Sequence, residues 1–225
     1  MGVRVLVWGG GALFVTALAV AAWWYGVVMG RTMPAGGWSA AGVDAALVTA
    51  FALHHSLFAR QPIKKAIARL VPPDLVRSLY VWVASLLLLA VFGFWRPIGG
   101  EWYSVSGAPG VVLAIVQLAG LGLTARAVAR IDPLELAGIR SASRTDGLQI
   151  DGPYRVVRHP LYLGWLLMVF GAPHMTGDRL AFAAMTTLYL IVAIPWEERS
   201  LRRTFGDGYA RYMRAVRWRM IPFIY

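Results

Sequence analysis

Six apolar stretches, at residues 5–29, 41–58, 78–95, 110–129, 160–175 and 180–196, dominate this chain of 225 residues and leave little room for a soluble fold. The first four are long enough to cross roughly 30 Å of hydrocarbon at about 1.5 Å per residue, and the last two are shorter. Only 15% of the residues are charged and 58% are hydrophobic, too apolar a balance for an ordinary soluble domain. Inside a bilayer every backbone polar group must be satisfied within the segment, so the expected class is all-α. The expectation is a polytopic helical bundle of about six transmembrane helices with a cytosolic C-terminal helical cap. The first run contains Ala19, Val20 and Ala21 at a cleavage-like spacing but continues through Trp23, Trp24 and Tyr25, aromatics suited to a headgroup boundary, which favours a retained helix.

The net charge of +11 raises the question of nucleic acid, and the placement of the 22 basic residues answers it. Arg60, Lys64, Lys65, Arg69 and Arg77 lie in the second loop; Arg126, Arg130, Arg140, Arg144, Arg155 and Arg158 lie in the fourth. Arg199, Arg202, Arg203, Arg211, Arg214, Arg217 and Arg219 follow the last helix. If six helices alternate, these and Arg4 share one side, and only Arg31, Arg96 and Arg179 fall on the other. That is the positive-inside pattern, so both termini are expected in the cytosol, with the basic charge facing membrane lipids and no nucleic-acid partner. The chain has no cysteine, which removes disulfides and thiolate metal sites from consideration. No protein partner is evident.

One compositional break interrupts the helices. Residues 131–158, IDPLELAGIRSASRTDGLQIDGPYRVVR, are polar and turn-rich, dividing a four-helix region at 1–130 from a loop, hairpin and terminal segment at 131–225. The break ends in GPYRVVR, which runs on into the next apolar stretch as GPYRVVRHPLYLG at 152–164. Proline belongs in a first helical turn and pushes the residue before it out of helical conformation, so His159 should cap a helix beginning at Pro160. The free N–H groups of such an end attract an anionic group. Gly164, one turn on, offers close approach to a ligand or to a neighbouring helix. Because a short connection near Gly177 and Asp178 joins the last two apolar runs, they must be antiparallel, and RHP meets PWEER. Arg158, His159 and Tyr162 are thus expected beside Glu197 and Glu198 at one membrane face. The two glutamates point about 100° apart. Arg202 at i+4 suggests a solvated pair for Glu198, and Leu201 and Phe205 mark the apolar side for Glu197, which is the expected inward carboxylate.

The run GPYRVVRHPLYLG, followed by EERSLRRTFGDGYARYMRAV and Pro222, resembles the signature of membrane methyltransferases related to isoprenylcysteine carboxyl methyltransferase and to bacterial phospholipid methyltransferases. HHSLFAR at 54–60, PPDLVRSLYVWVASLLLL at 72–89 and LELAGIR at 134–140 also resemble the bacterial methanethiol S-methyltransferases and their NnrU-like relatives. The resemblance implies S-adenosylmethionine in a cytosolic pocket, with contributions from Tyr154, Arg158, His159, Pro160, Tyr162, Gly164, Glu197, Glu198, Tyr209 and Tyr212. It implies no metal. Helix start and Arg158 suit the cofactor carboxylate, a glutamate its ammonium, and aromatic faces its adenine or sulfonium. A Rossmann-type methyltransferase would carry a Gly-rich strand–turn–helix fingerprint, which this sequence lacks.

On the acceptor side the resemblance implies His55 as the candidate base, with Arg77 and Tyr80 beside it and Glu135 and Arg140 from the adjoining loop. His54 stands where those relatives carry another polar residue. The acceptor is expected to be a small thiol; a lipophilic acceptor such as an isoprenylcysteine carboxylate or a phospholipid amine is the alternative, because residues 141–151 are shorter than the methanethiol-type pattern. Two further readings stay open: an NADPH-dependent reductase of the sterol-reductase type, which shares this C-terminal half, and a haem- or quinone-binding subunit using His54, His55, His159 and His174. Adjacent histidines point about 100° apart, which suits a bis-histidine haem poorly.

Overall fold

A computed structural model describes residues 2–58, 60–129, 133–139 and 147–225. The chain is a polytopic all-α membrane protein. Among the described residues five helices are long and apolar enough to cross a membrane: Gly2–Val28, Gly37–Phe58, Leu75–Gly93, Gly107–Val128 and Gly177–Phe205. In chain order the elements are α1 (Gly2–Trp23, continued by a π-turn at Trp24–Val28), α2 (Gly37–Phe58), α3 (Gln61–Ile67), α4 (Pro73–Gly93), β1 (Glu101–Ser104) and α5 (Gly107–Val128). Then come α6 (Pro133–Leu136), a 3-10 turn at Gly152–Arg155, α7 (Pro160–Phe170), β2 (His174–Thr176), α8 (Gly177–Phe205) and α9 (Asp207–Ala215). Two compact units emerge: residues 1–101, 131–142 and 176–181, and residues 102–130, 143–175 and 182–225. The helix α5 therefore belongs with the terminal hairpin.

In the first unit α1 packs on α4 through a glycine-lined seam. A side chain at Gly10 would come within 2.8 Å of the Trp82 indole nitrogen, so small residues let that ring approach and donate from Nε1 to the Leu6 carbonyl at 2.9 Å. At the other end of the unit, Asp178 accepts from Trp95 Nε1, Ile98 N and Gly99 N. Arg179 donates to the carbonyls of Tyr25 and Gly26 in the π-turn, whose irregular backbone leaves them available. Buried Asp44 accepts from Arg96 N at 2.9 Å. The acidic residues of this end thus hold backbone and indole donors in place.

The second unit is built on α5, α7, α8 and α9. Six spanning helices were expected, and the fifth apolar stretch turns out to be helical only over 11 residues. At about 1.5 Å per residue α7 covers roughly 16 Å, half of the roughly 33 Å of the 22-residue α5, and the chain continues as non-helical backbone through 171–173 into β2. Gly171, Ala172, Met175 and Thr176 are buried, which is the condition for non-helical backbone at membrane depth. β1 and β2 pair as a two-stranded sheet, and Tyr103 Oη of β1 donates to the Phe170 carbonyl at the end of α7 at 3.4 Å. Close approach makes this geometry possible: a Cβ at Gly120 would lie 2.5 Å from Met168 N, and one at Gly164 would collide with Thr124 Oγ1 and the Gly120 carbonyl. Gln117 adds a bond from Nε2 to the Met168 carbonyl at 3.0 Å. Trp165 Nε1 ties α7 to α8 through Thr186 Oγ1 at 3.0 Å.

Candidate functional site

The expectation that RHP and PWEER become neighbours is met in the second unit. His159 is the N-cap residue of α7, at φ −122° and ψ 65°, with Pro160 in the first turn. Arg158 N donates to the Trp218 carbonyl at 2.9 Å and His159 N to the Arg219 carbonyl at 2.7 Å, so the chain after α9 lies alongside the entry to α7. Gly206, at φ 52°, adopts a left-handed conformation that suits glycine and lets α9 turn back from the end of α8.

Glu198 is the hub. Its side chain is 5% exposed, and Arg158 Nε donates to Oε1 at 2.7 Å while Arg219 Nε lies 3.3 Å from Oε2. His159 Nε2 is 3.4 Å from the same Oε1. Arg158 is occupied further by Nη1 bonds to the carbonyls of Val216 and Arg217, both at 2.8 Å. A buried carboxylate between two guanidinium groups, each with additional acceptors, meets the requirement that buried charge be paired and hydrogen-bonded. The expected roles of the two glutamates are therefore reversed. Glu198 is inward and engaged by Arg158 and Arg219, with no ion pair to Arg202 among the described residues. Glu197, the expected inward carboxylate, keeps a side chain 43% exposed. The physical reason is that α8 is covered by the segment carrying Arg219, a neighbour that intrahelical spacing does not register.

Glu197 is nonetheless positioned. Tyr162 Oη donates to its Oε2 at 2.7 Å, and His159 Nδ1 lies 3.6 Å from that oxygen. The His159 and Tyr162 rings stack with centroids 5.3 Å apart and planes 4° from parallel. The result is an accessible carboxylate flanked by a stacked aromatic pair at a helix start.

Tyr209 and Tyr212 lie beneath the cluster rather than on its open side. They form an apolar nest with Val216, packed by Leu148, Tyr154, Leu201, Phe205 and Met213. Tyr212 Oη donates to the Tyr154 carbonyl at 2.7 Å. Burial raises the phenols of Tyr154, Tyr209 and Tyr212, reinforced by the nearby glutamates; Tyr209 is pushed up to about 12, so all three remain protonated near neutrality. Gly164 is turned to α5, where Thr124 and Gly120 occupy the space beside it. Pro160 is buried at the first turn. Arg219 is the member sequence reasoning missed, since nothing in its spacing separates it from the other arginines after the last apolar run.

His55, Arg77 and Tyr80 belong to the first unit. His54 Nε2 lies 3.2 Å from the Tyr80 carbonyl, and its ring stacks on Tyr80 at 5.2 Å and packs on Phe58 at 4.4 Å. His55 sits 4.6 Å from Phe51 and 5.5 Å from Tyr80, with its Nδ1 buried and lacking a hydrogen-bond partner among the described residues. Arg77 is half-buried one turn before Tyr80, and its charge together with burial lowers the ammonium of Lys64 on α3, burial being the larger cause. Arg140 and the side chain of Glu135 lie outside the described residues.

Together these features define a membrane protein with a built polar cluster at one end of an apolar helical hairpin. A family profile described as phospholipid methyltransferase matches residues 138–208, a stretch that includes Arg158, His159, Tyr162, Glu197 and Glu198 but ends before Arg219. Methanethiol S-methyltransferase 2 of Bradyrhizobium diazoefficiens is 37% identical over 182 residues, covering 77% of this chain and 70% of that protein. The methanethiol S-methyltransferase of Crocosphaera subtropica is 37% identical over 192 residues, covering 81% and 74%. Methanethiol S-methyltransferase 1 of B. diazoefficiens is 35% identical over 216 residues, covering 90% and 76%. No solved structure matches. The chain belongs to the methanethiol S-methyltransferase family of integral membrane proteins, and it is a methyltransferase. The reductase and haem readings find no support among these relatives.

Proposed function

We propose that this enzyme methylates a small thiol, using S-adenosylmethionine, at the cytosolic face of a bacterial inner membrane with both termini in the cytosol. The single observation that carries the cofactor reading is the division of labour between the glutamates: Glu198 is consumed by Arg158 and Arg219, and Glu197 keeps an accessible oxygen beside Tyr162 and His159. An accessible carboxylate held by a phenol suits an ammonium group, and the stacked rings suit the flat or cationic parts of the same molecule. Arg158, Glu198, Arg219, Tyr209 and Tyr212 act as positioning residues. Pro160 sets the start of α7 and Gly164 its seat on α5.

S-adenosylmethionine supplies an activated methyl group on a sulfonium, so the protein needs chiefly orientation, desolvation and removal of the thiol proton. His55 is the proposed base. Its Nδ1 has no hydrogen-bond partner among the described residues, and the surrounding Phe51 and Tyr80 rings offer favourable contacts to sulfur. Tyr80 and Arg77 are proposed to shape and polarise the acceptor side. The relatives, methanethiol S-methyltransferases, support a thiol over a lipid acceptor. Calorimetry with S-adenosylhomocysteine and with NADPH, followed by a labelled-methyl assay against methanethiol, longer thiols and a farnesylated cysteine, tests the proposal. Binding of S-adenosylhomocysteine and transfer to methanethiol are expected; binding of NADPH alone would overturn it.

A further inference from the structure

Glu198 also borders a concavity whose lining does not include His159 or Tyr162. A cavity of about 330 Å³ is lined by Pro195, Glu198, Arg199, Arg202, Met213 and Arg219. Its charge is unbalanced. The one carboxylate is already held by Arg158 and Arg219, Arg199 rests its guanidinium 4.7 Å above the Trp196 ring, and Arg202 forms no ion pair among the described residues. Two guanidinium groups thus border a concavity whose one carboxylate, Glu198, is paired elsewhere, with no other acidic residue in its lining among the described residues.

The helix that carries them identifies the kind of anion. Leu188, Val192, Pro195, Arg199 and Arg202 fall within about 40° of Leu188 on the α8 wheel, so they form one stripe. Leu188 is 63% exposed and Val192 57%, within a span apolar enough to cross a membrane, and Trp196 beside them is 56% exposed. The stripe runs from hydrocarbon-facing side chains, past an interfacial indole, to two arginines at the cavity rim. That order is the order of parts in an anionic phospholipid: acyl chain, glycerol region, phosphate.

We propose that the Arg199–Arg202 cavity is a binding site for the phosphate of an anionic bilayer phospholipid, whose acyl chain lies along Leu188 and Val192. The lipid is a bound ligand and not the methyl acceptor. Arginine pairs with phosphate through parallel N–H bonds, a geometry that lysine does not reproduce. The site shares Glu198 and Arg219 with the cluster beside α7, so occupancy would brace the same carboxylate that orders the proposed cofactor site.

The test uses the full-length protein in detergent, titrated with phosphatidylglycerol, phosphatidylcholine and inorganic phosphate, with thermal stability as readout. Wild type is expected to be stabilised by phosphatidylglycerol well below the concentration at which phosphatidylcholine acts, and not by inorganic phosphate at the same concentration. Arg199→Gln and Arg202→Gln should each shift the phosphatidylglycerol titration to roughly five-fold higher concentration, the effect of about one surface cation. Arg211→Gln with Arg214→Gln, on the exposed side of α9, should leave it unchanged. Should the paired Arg199 and Arg202 variant fail to fold, the single Arg202→Gln variant carries the test, since that side chain is exposed and forms no ion pair among the described residues. Equal stabilisation by the two lipids, full protection by inorganic phosphate alone, or an unshifted titration in Arg202→Gln would overturn the proposal.

Discussion

Arg158 and Glu198, separated by 40 positions in the chain, form a buried ion pair with Nε 2.7 Å from Oε1. The pair fastens the start of α7 to the end of α8, and the Nη1 bonds of Arg158 fasten both to the segment after α9. Removing one member of such a pair leaves the other charged, buried and unmatched, which costs about 3–5 kcal/mol. Arg158→Ala and Glu198→Ala should therefore each lower the thermal unfolding midpoint of the ligand-free protein markedly. Arg158→Lys should recover little, since a single ammonium cannot serve Glu198 and two carbonyls from one fixed geometry. A midpoint unchanged in Arg158→Ala would show that the pair does not hold the hairpin to its cap.

Glu197 is predicted to behave in the opposite way. Its side chain is 43% exposed and forms no ion pair with an arginine or lysine among the described residues, so Glu197→Gln should leave the unfolding midpoint within about 1 kcal/mol of wild type. Its effect should appear in calorimetry with S-adenosylhomocysteine, as a loss of about ten-fold or more in affinity, in line with a hydrogen bond to a charged group. Tyr162→Phe removes the bond that orients the carboxylate and should weaken binding in the same direction. Equal affinity for wild type and Glu197→Gln would move the ammonium elsewhere.

The contrast between these glutamates marks how far sequence reached. The all-α membrane class, the positions of the long helices and the meeting of RHP with PWEER followed from apolar run lengths, proline chemistry and a short connection. The inward glutamate did not, because helical spacing reports only neighbours on the same helix, whereas Glu198 is buried by Arg219 from beyond α9. The fifth apolar run was legible as apolar but not as an 11-residue helix followed by buried non-helical chain, since hydropathy does not separate the two. Gly164 was legible as a point of close approach, and only coordinates could assign that approach to Thr124 and Gly120.

That assignment yields a prediction. Gly164→Val would drive two methyl groups into the α5 backbone, where even a Cβ collides with Thr124 and Gly120, and overpacking of this kind costs about 1–3 kcal/mol or more. The variant should lose thermal stability while the S-adenosylhomocysteine affinity of the fraction that remains folded stays near wild type. If affinity fell with stability intact, Gly164 would be a contact of the ligand.

His55 separates acceptor chemistry from cofactor binding. His55→Ala should leave calorimetric affinity for S-adenosylhomocysteine unchanged and reduce kcat on methanethiol by about 10²–10⁴, the usual contribution of a positioned base. Raising the pH should narrow the gap between variant and wild type, because the fraction of thiolate in solution grows and the base is needed less. A variant rate that tracked wild type at every pH would remove His55 from the proton transfer.

Alkaline stability should report the tyrosine nest. With Tyr209 raised from 10.0 to about 12, chiefly by burial and then by the charge of Glu198, the folded protein keeps a proton that the unfolded chain releases. Between pH 10 and 12 the unfolded state binds fewer protons than the native state, so stability falls as pH rises through this window and levels off above it. Tyr154 and Tyr212 are shifted in the same direction and add to the slope. Tyr209→Phe removes the titrating hydroxyl while keeping the ring against Val216 and Phe205, so unfolding midpoints measured from pH 9 to 12 should decline less steeply than in wild type. An identical decline in the two proteins would mean that Tyr209 ionises as readily in the fold as in the unfolded chain, and that its surroundings are wetter than the packing around Tyr212 and Val216 implies.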